Sequence, residues 1–406
     1  MKKTFFTFAS LALLPVAGLL TAAMAPATAT AAIAVTDDGS LKLFGDARLR
    51  FEYDNRAKQK NVDITGATEH RDRFRLRARI GALYAPDDIW SMGVRLRSES
   101  DALNSPHQTT GFFSNSVSGS GRNQDFGLDR VYIKLKLPVP GGQFSVWGGK
   151  NSFNLWQQTE VWWDDDLQPE GIAGTFKTSA LPIGGTLTLT GSSFILSEGN
   201  FKGSAFGKND GSIAFVQGVY QTRIFGSQLT LAGNYGKIFN TLDLSAAINN
   251  LAGNTSGRTL QSSRYAGASV QIKGSGWRIG GDFVDSNSRS QDTAYVIQGR
   301  YQPGFLYGIG LRVYYYHVEG FSVPGDGIFT QDNWANPGIF GVSNFRGMRY
   351  QIDYKFNNHV SIDFRAYIAR RLKTSIGALQ ANGTVTDALM NRRKHDRFQG
   401  NLNVKF

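Results

Sequence analysis

RDRFRLRARIGALY, residues 71–84, is the stretch that decides the fold. Phe74, Leu76, Ala78, Ile80, Ala82 and Tyr84 share one parity, and Arg73, Arg75, Arg77 and Arg79 share the other. Successive side chains of a β-strand point to opposite faces, so this strand has one apolar face and one cationic face. The first suits lipid and the second needs water, which together make the sequence signature of a membrane-barrel strand.

The same alternation recurs along the chain. It marks residues 41–53, 90–97, 131–137, 186–196, 213–220, 229–235, 265–272, 277–284, 293–301, 309–318, 348–356, 360–368 and 397–406. Two shorter, glycine-rich segments at 144–149 and 171–176 bring the expected count to sixteen. Short links are expected at residues 86–88, 138–142, 179–185, 223–227, 273–275, 302–307 and 357–359. They alternate with long polar stretches at 55–70, 100–126, 151–170, 198–210, 237–262, 285–292, 319–345 and 372–393. Tight periplasmic turns and long outer loops are the habit of outer-membrane barrels, and this order puts both termini in the periplasm. Hydrocarbon offers no partner to backbone N–H and C=O groups, so the first and last strands must pair and close the sheet. The expected fold is therefore all-β, a sixteen-strand transmembrane antiparallel barrel.

Lys2 and Lys3, the apolar run from Phe5 to Leu20 and the small residues Ala22, Ala25, Ala27, Ala29 and Ala31 read as a cleaved secretory signal peptide over 1–31. Cleavage after Ala29 or Ala31 fits the small-x-small pattern, and Ala27 also fits. The run is too short for the roughly 20 residues of a spanning anchor. Residues 32–40 are then a short periplasmic segment and 41–406 the barrel. With no cysteine, the exported chain has neither a disulfide framework nor thiol chemistry. A net charge of +12, near +10 without Lys2 and Lys3, would suggest nucleic acid for a cytosolic protein. Export removes that partner and leaves a surface or cavity that attracts anions.

Tyr84, Trp90, Phe144, Trp277, Tyr301, Phe356 and Phe406 stand where strands meet short turns, as expected of a periplasmic aromatic girdle. The alternative is the core of a soluble sandwich, which would have to place an arginine face in solvent.

Several segments carry a family resemblance. RARIG (77–81), LDRVY (128–132), WGGK (147–150) and WDDDLQPEG (163–171) resemble the "putative porin" family of Gram-negative bacteria. The likeness runs from Leu41 through Ala173, and a more distant one reaches alginate-export-type barrels. It implies a porin-type barrel in the outer membrane, with lipid around it and small hydrophilic solutes within. A final strand ending in Phe406 also resembles the strand that barrel-assembly machinery reads. Monomer and homotrimer both stay open.

The expected pore-lining basic residues are Arg48, Arg50, Arg73, Arg75, Arg77, Arg79, Arg95, Arg97, Arg130 and Lys134, with Lys136 beside them. Closure adds Arg349, Lys355, Arg365, Arg397 and Lys405. Such a wall raises local anion concentration, and guanidinium binds carboxylate and phosphate bidentately. Asp46, Glu52, Glu99, Asp129, Asp353 and Asp363 share the inward face, so a lattice of salt bridges that stiffens the barrel is the other reading. In the third long loop stand Trp156, Glu160, Trp162, Trp163, Asp164, Asp165, Asp166 and Glu170. The resemblance implies that this loop folds inward and sets Glu160, Asp164, Asp165, Asp166 and Glu170 against the arginines as a constriction. The alternative is a surface loop whose oxygens suit adventitious Ca²⁺.

His70, His107, His317, His359 and His395 show no metal-ligand spacing, and phosphate-loop and dinucleotide fingerprints are absent. No enzyme activity, metal or cofactor is expected. The function expected is passive diffusion of small hydrophilic solutes with an anion preference. Its rivals are a channel specific for acidic sugars or polyanions and a non-conducting structural or interaction barrel.

Overall fold

The computed structural model describes residues 32–58, 70–98, 108–109, 126–153, 155–179, 181–197, 211–240, 262–288, 290–306, 308–324, 329–330, 343–372 and 392–406. Residues 1–31, expected to be a signal peptide, together with Glu99, His107 and much of the long polar stretches lie outside the described residues.

Sixteen strands form the wall: β1 Leu41–Lys58, β2 His70–Tyr84, β3 Trp90–Ser98, β4 Phe126–Val139, β5 Gly142–Lys150, β6 Glu170–Thr178, β7 Thr186–Ser197 and β8 Gly211–Ile224; then β9 Ser227–Phe239, β10 Arg264–Lys273, β11 Trp277–Ser286, β12 Thr293–Tyr301, β13 Ile309–Val318, β14 Phe345–Lys355, β15 Val360–Arg371 and β16 Arg392–Lys405. Each pairs antiparallel with the next, and β16 pairs with β1 from Lys405↔Asp46 to Arg392↔Lys58. The cylinder is closed, so no strand edge faces hydrocarbon. Two short strands join it. Ile33–Ala34 pairs with Leu43 and Lys42, so the N-terminal segment lies along β1, and Gln108–Thr109 pairs with Leu76 and Arg75 of β2.

All sixteen expected segments fall on wall strands, and several strands run longer than the alternation suggested. β1 continues to Lys58 and β4 begins at Phe126. A hydrogen-bond ladder needs no hydropathy pattern, so it persists beyond the apolar belt.

The outward parity is apolar and exposed: Leu49, Phe74, Ile80, Val216, Ile279, Ile297 and Ile352 each show about half of their surface (48–62%). A patch of that extent around a whole cylinder is stable only against lipid. Near the short turns, Tyr84 packs edge-on against Trp90 at 5.6 Å and Trp277 pairs with Tyr301.

The seam between β16 and β1 is locked in two ways. At the periplasmic end Phe406 and Gly45 exchange two backbone hydrogen bonds of 3.0 Å, and the Phe406 ring lies over Gly45. A Cβ at Gly45 would stand 2.6 Å from that ring and 2.7 Å from the Arg79 carbonyl oxygen, so only glycine fits. Higher up, Glu52 and Asp54, both fully buried, accept from cations on both neighbouring strands. Arg73 Nε donates to Glu52 at 2.6 Å and Gln399 Nε2 at 2.8 Å. Arg397 Nε donates to Asp54 at 2.6 Å and Arg71 Nη2 at 2.8 Å.

Candidate functional site

The third long loop, residues 151–169, folds inside the barrel, and its composition shows why. One side of it is apolar: Phe153, Leu155, Val161, Trp162, Trp163 and Leu167 are all buried. They pack on an apolar bed formed by inward residues of the wall, among them Phe194, Phe215, Tyr265, Tyr316 and Phe345. Phe153 lies 4.8 Å from Phe194 and 5.6 Å from Phe215, ring centroid to centroid.

Polar latches fix the register of the loop. Asp282 of β11 accepts the backbone N–H of Gln158 at 2.9 Å, that of Thr159 at 2.8 Å and the Thr159 hydroxyl at 2.9 Å. Gln217 of β8 holds Trp156 from both sides, accepting its N–H at 2.8 Å and donating to its carbonyl at 2.9 Å. Gly267 of β10 leaves the space that Trp162 fills: a Cβ there would stand 2.4 Å from the indole.

The other side of the loop carries acid and faces arginine. Asp166 meets Arg79 Nη1 at 3.0 Å and Arg77 Nη1 at 3.5 Å, and its carbonyl accepts from Arg97 Nη1 at 3.4 Å. Gln168 accepts from Arg130 Nε at 2.7 Å. Between loop and wall lies a polar cavity of about 650 Å³. Glu160, Asp165 and Asp166 line it together with Arg48, Arg77, Arg79, Arg95, Arg130, Arg312, Arg349 and Arg365.

Eight arginines thus face three carboxylates. Four more carboxylates pair with lining arginines: Asp46 with Arg77 and Arg79 at 2.8 Å each, Asp129 with Arg95, Asp353 with Arg312 at 2.7 Å and Asp363 with Arg365 at 2.5 Å. Eight cations against seven acids still leave a positive balance. Arg48, Arg130 and Arg349 have no carboxylate partner in ion-pair range among the described residues. Arg48 Nε donates to Asn403 at 2.6 Å, and Arg349 bonds to Gln351 while lying over the Tyr314 ring at 4.6 Å.

Several expected residues stand elsewhere. Arg73 points inward but is held by Glu52 away from the cavity, as is Arg75, 3.9 Å from the same carboxylate. Arg50 is buried at the seam and donates to Asn401 at 2.7 Å. Lys134 sits opposite Trp147, beyond the cavity lining. Asp164 is a correction to the constriction set: it is buried beneath the loop and accepts the Asp166 N–H at 2.7 Å. Glu170 is a second correction. It is the first residue of β6, shares the outward parity with Ile172, and meets Lys150 Nζ at 2.9 Å on an exposed rim. Asp129 and Arg130 are sequence neighbours, and both reach the lumen side because a β-bulge sets the two of them opposite Arg95.

The two lining aspartates differ. Enclosure in the barrel, although Asp165 is exposed to the lumen, and the neighbouring Asp166 push the Asp165 carboxyl above its usual range. Burial opposes the charged form of Asp166 too, but Arg77 and Arg79 outweigh it and hold this carboxyl below that range. Acidification from neutral pH therefore protonates Asp165 first, and a neutral Asp165 makes the cavity more positive. Reversal potentials are expected to move toward the anion as pH falls, and Asp165→Asn is expected to remove most of that movement. A variant that keeps the full pH response would assign it to another group.

A closed sixteen-strand cylinder with an apolar outside, a charged lumen and a loop folded across it defines an outer-membrane porin. Residues 35–236, about half of the chain, match the family described as "Putative porin", and through this segment the chain belongs to it. No curated protein sequence matches significantly. Among solved structures, OprB of Pseudomonas putida at high pH is similar, with 13% identity and a TM-score of 0.52 over 89% of this chain and 94% of that one. OmpF of Salmonella typhi in complex with daunomycin is similar at 12% identity, with a TM-score of 0.50 over 92% of this chain and 100% of that one. Family and fold point to an outer-membrane channel for small solutes rather than an enzyme.

Proposed function

We propose that this porin passes small hydrophilic solutes by passive diffusion with a preference for anions, and that the third loop sets the size limit. The observation that carries the preference is the positive balance of the cavity, with Arg48, Arg130 and Arg349 turned to amides or aromatic faces instead of acids. In a narrow low-dielectric passage that surplus concentrates anions and excludes cations. Arg77 and Arg79 have a second role, since their pairing with Asp166 ties the loop to the wall, while Asp46 and, for Arg95, Asp129 tie neighbouring wall strands together. Carboxylates on the loop and guanidiniums on the wall also set up a transverse field, which favours solutes whose dipoles align with it.

Residues 1–31 act in this reading as a cleaved export signal, 32–40 as a periplasmic lead-in and 41–406 as the barrel. The strand ending at Phe406 is the segment that assembly machinery reads. Its test is the reversal potential across a planar bilayer in a potassium chloride gradient. Replacing Arg48, Arg130 and Arg349 together with glutamine is expected to shift it toward the potassium value, and by more than the Arg75, Arg77 and Arg79 glutamine triple does. An unchanged potential would remove the basic lumen from selectivity.

A further inference from the structure

The register of the wall brings together four cations that no face assignment from sequence could group. Lys273 lies opposite Arg278, Arg278 opposite Arg300, and Arg300 opposite Arg312, on four consecutive strands from β10 to β13. All four are on the inward parity. Neighbouring strands stand roughly 4.8 Å apart, so the row spans three such steps. Like charges directly opposite one another across strands destabilise a sheet. Here one acid serves the row, Asp353, at 2.7 Å from Arg312. Lys273, Arg278 and Arg300 have no ion-pair partner among the described residues, and Arg300 Nη2 donates instead to Gln302 at 2.5 Å.

The position of the row gives it a direction. Lys273 closes β10 and Arg278 is the second residue of β11, flanking the turn at 274–276, while Arg300 is one residue from the end of β12. These three stand at the mouth on the side of the short turns, the periplasmic side. Arg312, at the other end, lines the loop cavity. The row therefore runs from the constriction to the periplasmic opening.

We infer that Lys273, Arg278, Arg300 and Arg312 form a binding station for small oxyanions, carboxylate or phosphate in kind, at the periplasmic mouth. Guanidinium edges offer paired donors to such oxygens, and an anion seated there relieves the repulsion along the row. Its place on a route rests on the diffusion reading, but its occupancy does not.

Two measurements on the purified full chain separate the two. Thermal unfolding in detergent, with inorganic phosphate against chloride at equal ionic strength, is expected to show a phosphate-dependent rise in the wild type. Arg278→Gln with Arg300→Gln should start from a higher midpoint, since repulsion is removed, and lose the phosphate increment. Lys273→Gln alone should reduce the increment. A double variant that keeps the full increment, or a wild type without one, overturns the station. In bilayers, phosphate on the periplasmic side is expected to reduce chloride current through the wild type more than through the double variant. A silent channel with the phosphate increment intact and lost in the variant would uphold the station and refute the diffusion reading.

Discussion

Replacing Asp282 with alanine is expected to raise single-channel conductance and make it noisy, because the third loop loses its firmest latch. This carboxylate is buried and takes two backbone N–H groups and one hydroxyl of Gln158 and Thr159. Alanine leaves those donors unsatisfied inside the barrel. Each orphaned buried donor costs about 1–3 kcal/mol, so with three donors the latch accounts for roughly 3–9 kcal/mol in favour of the inward loop. A shift of that size is enough to populate loop positions away from the wall. Asparagine keeps an acceptor oxygen and is expected to lie nearer the wild type. Trp162 and Trp163 would still prefer their apolar bed, so the loop should fluctuate instead of leaving altogether. Wild-type conductance and noise in the alanine variant would mean that the apolar bed alone holds the loop.

The second large effect is on stability. Glu52→Gln is expected to weaken closure of the cylinder by about 3–5 kcal/mol, the usual cost of breaking a buried ion pair from one side. Glu52 has Arg397 at 3.6 Å, Arg75 at 3.9 Å and Arg50 at 4.0 Å in addition to its bond from Arg73. Glutamine keeps the shape and removes the charge, leaving those guanidiniums facing one another across the β16–β1 seam. The readout is the urea midpoint for unfolding from lipid vesicles. Adding Arg73→Gln to Glu52→Gln should recover part of the loss. If Glu52→Gln unfolds at the wild-type midpoint, the seam network contributes nothing to closure.

Parity made the wall legible. Phe74 to Tyr84 against Arg73 to Arg79 states the two faces outright, and the order of short and long links gives closure and direction. The inside was harder to read. In β8 the run Ile213, Ala214, Phe215, Val216 is apolar on both faces, so alternation fades where the loop docks. A strand apolar on its lumen side is itself a sign that something apolar lies within, and the buried Trp162 and Trp163 are its complement. Asp129 and Arg130 could not both face inward under strict alternation, and the bulge opposite Arg95 is the physical resolution. Partners across strands depend on register, which hydropathy does not encode. Glu52 was legible as an inward acid, but its partners, the second seam acid Asp54 and the Lys273 to Arg312 row were not. Glu170 was misplaced because a strand start looks like a loop end when glycine follows it.

The proposed function depends on one property: a hydrated passage through the sealed wall that the third loop narrows without blocking. The most direct check is the current through single molecules of the wild-type protein in a planar lipid bilayer with unequal chloride concentrations on the two sides. Steady unitary openings with a reversal potential displaced toward chloride are the predicted result. A correctly folded, heat-modifiable barrel that inserts and carries no current would contradict it.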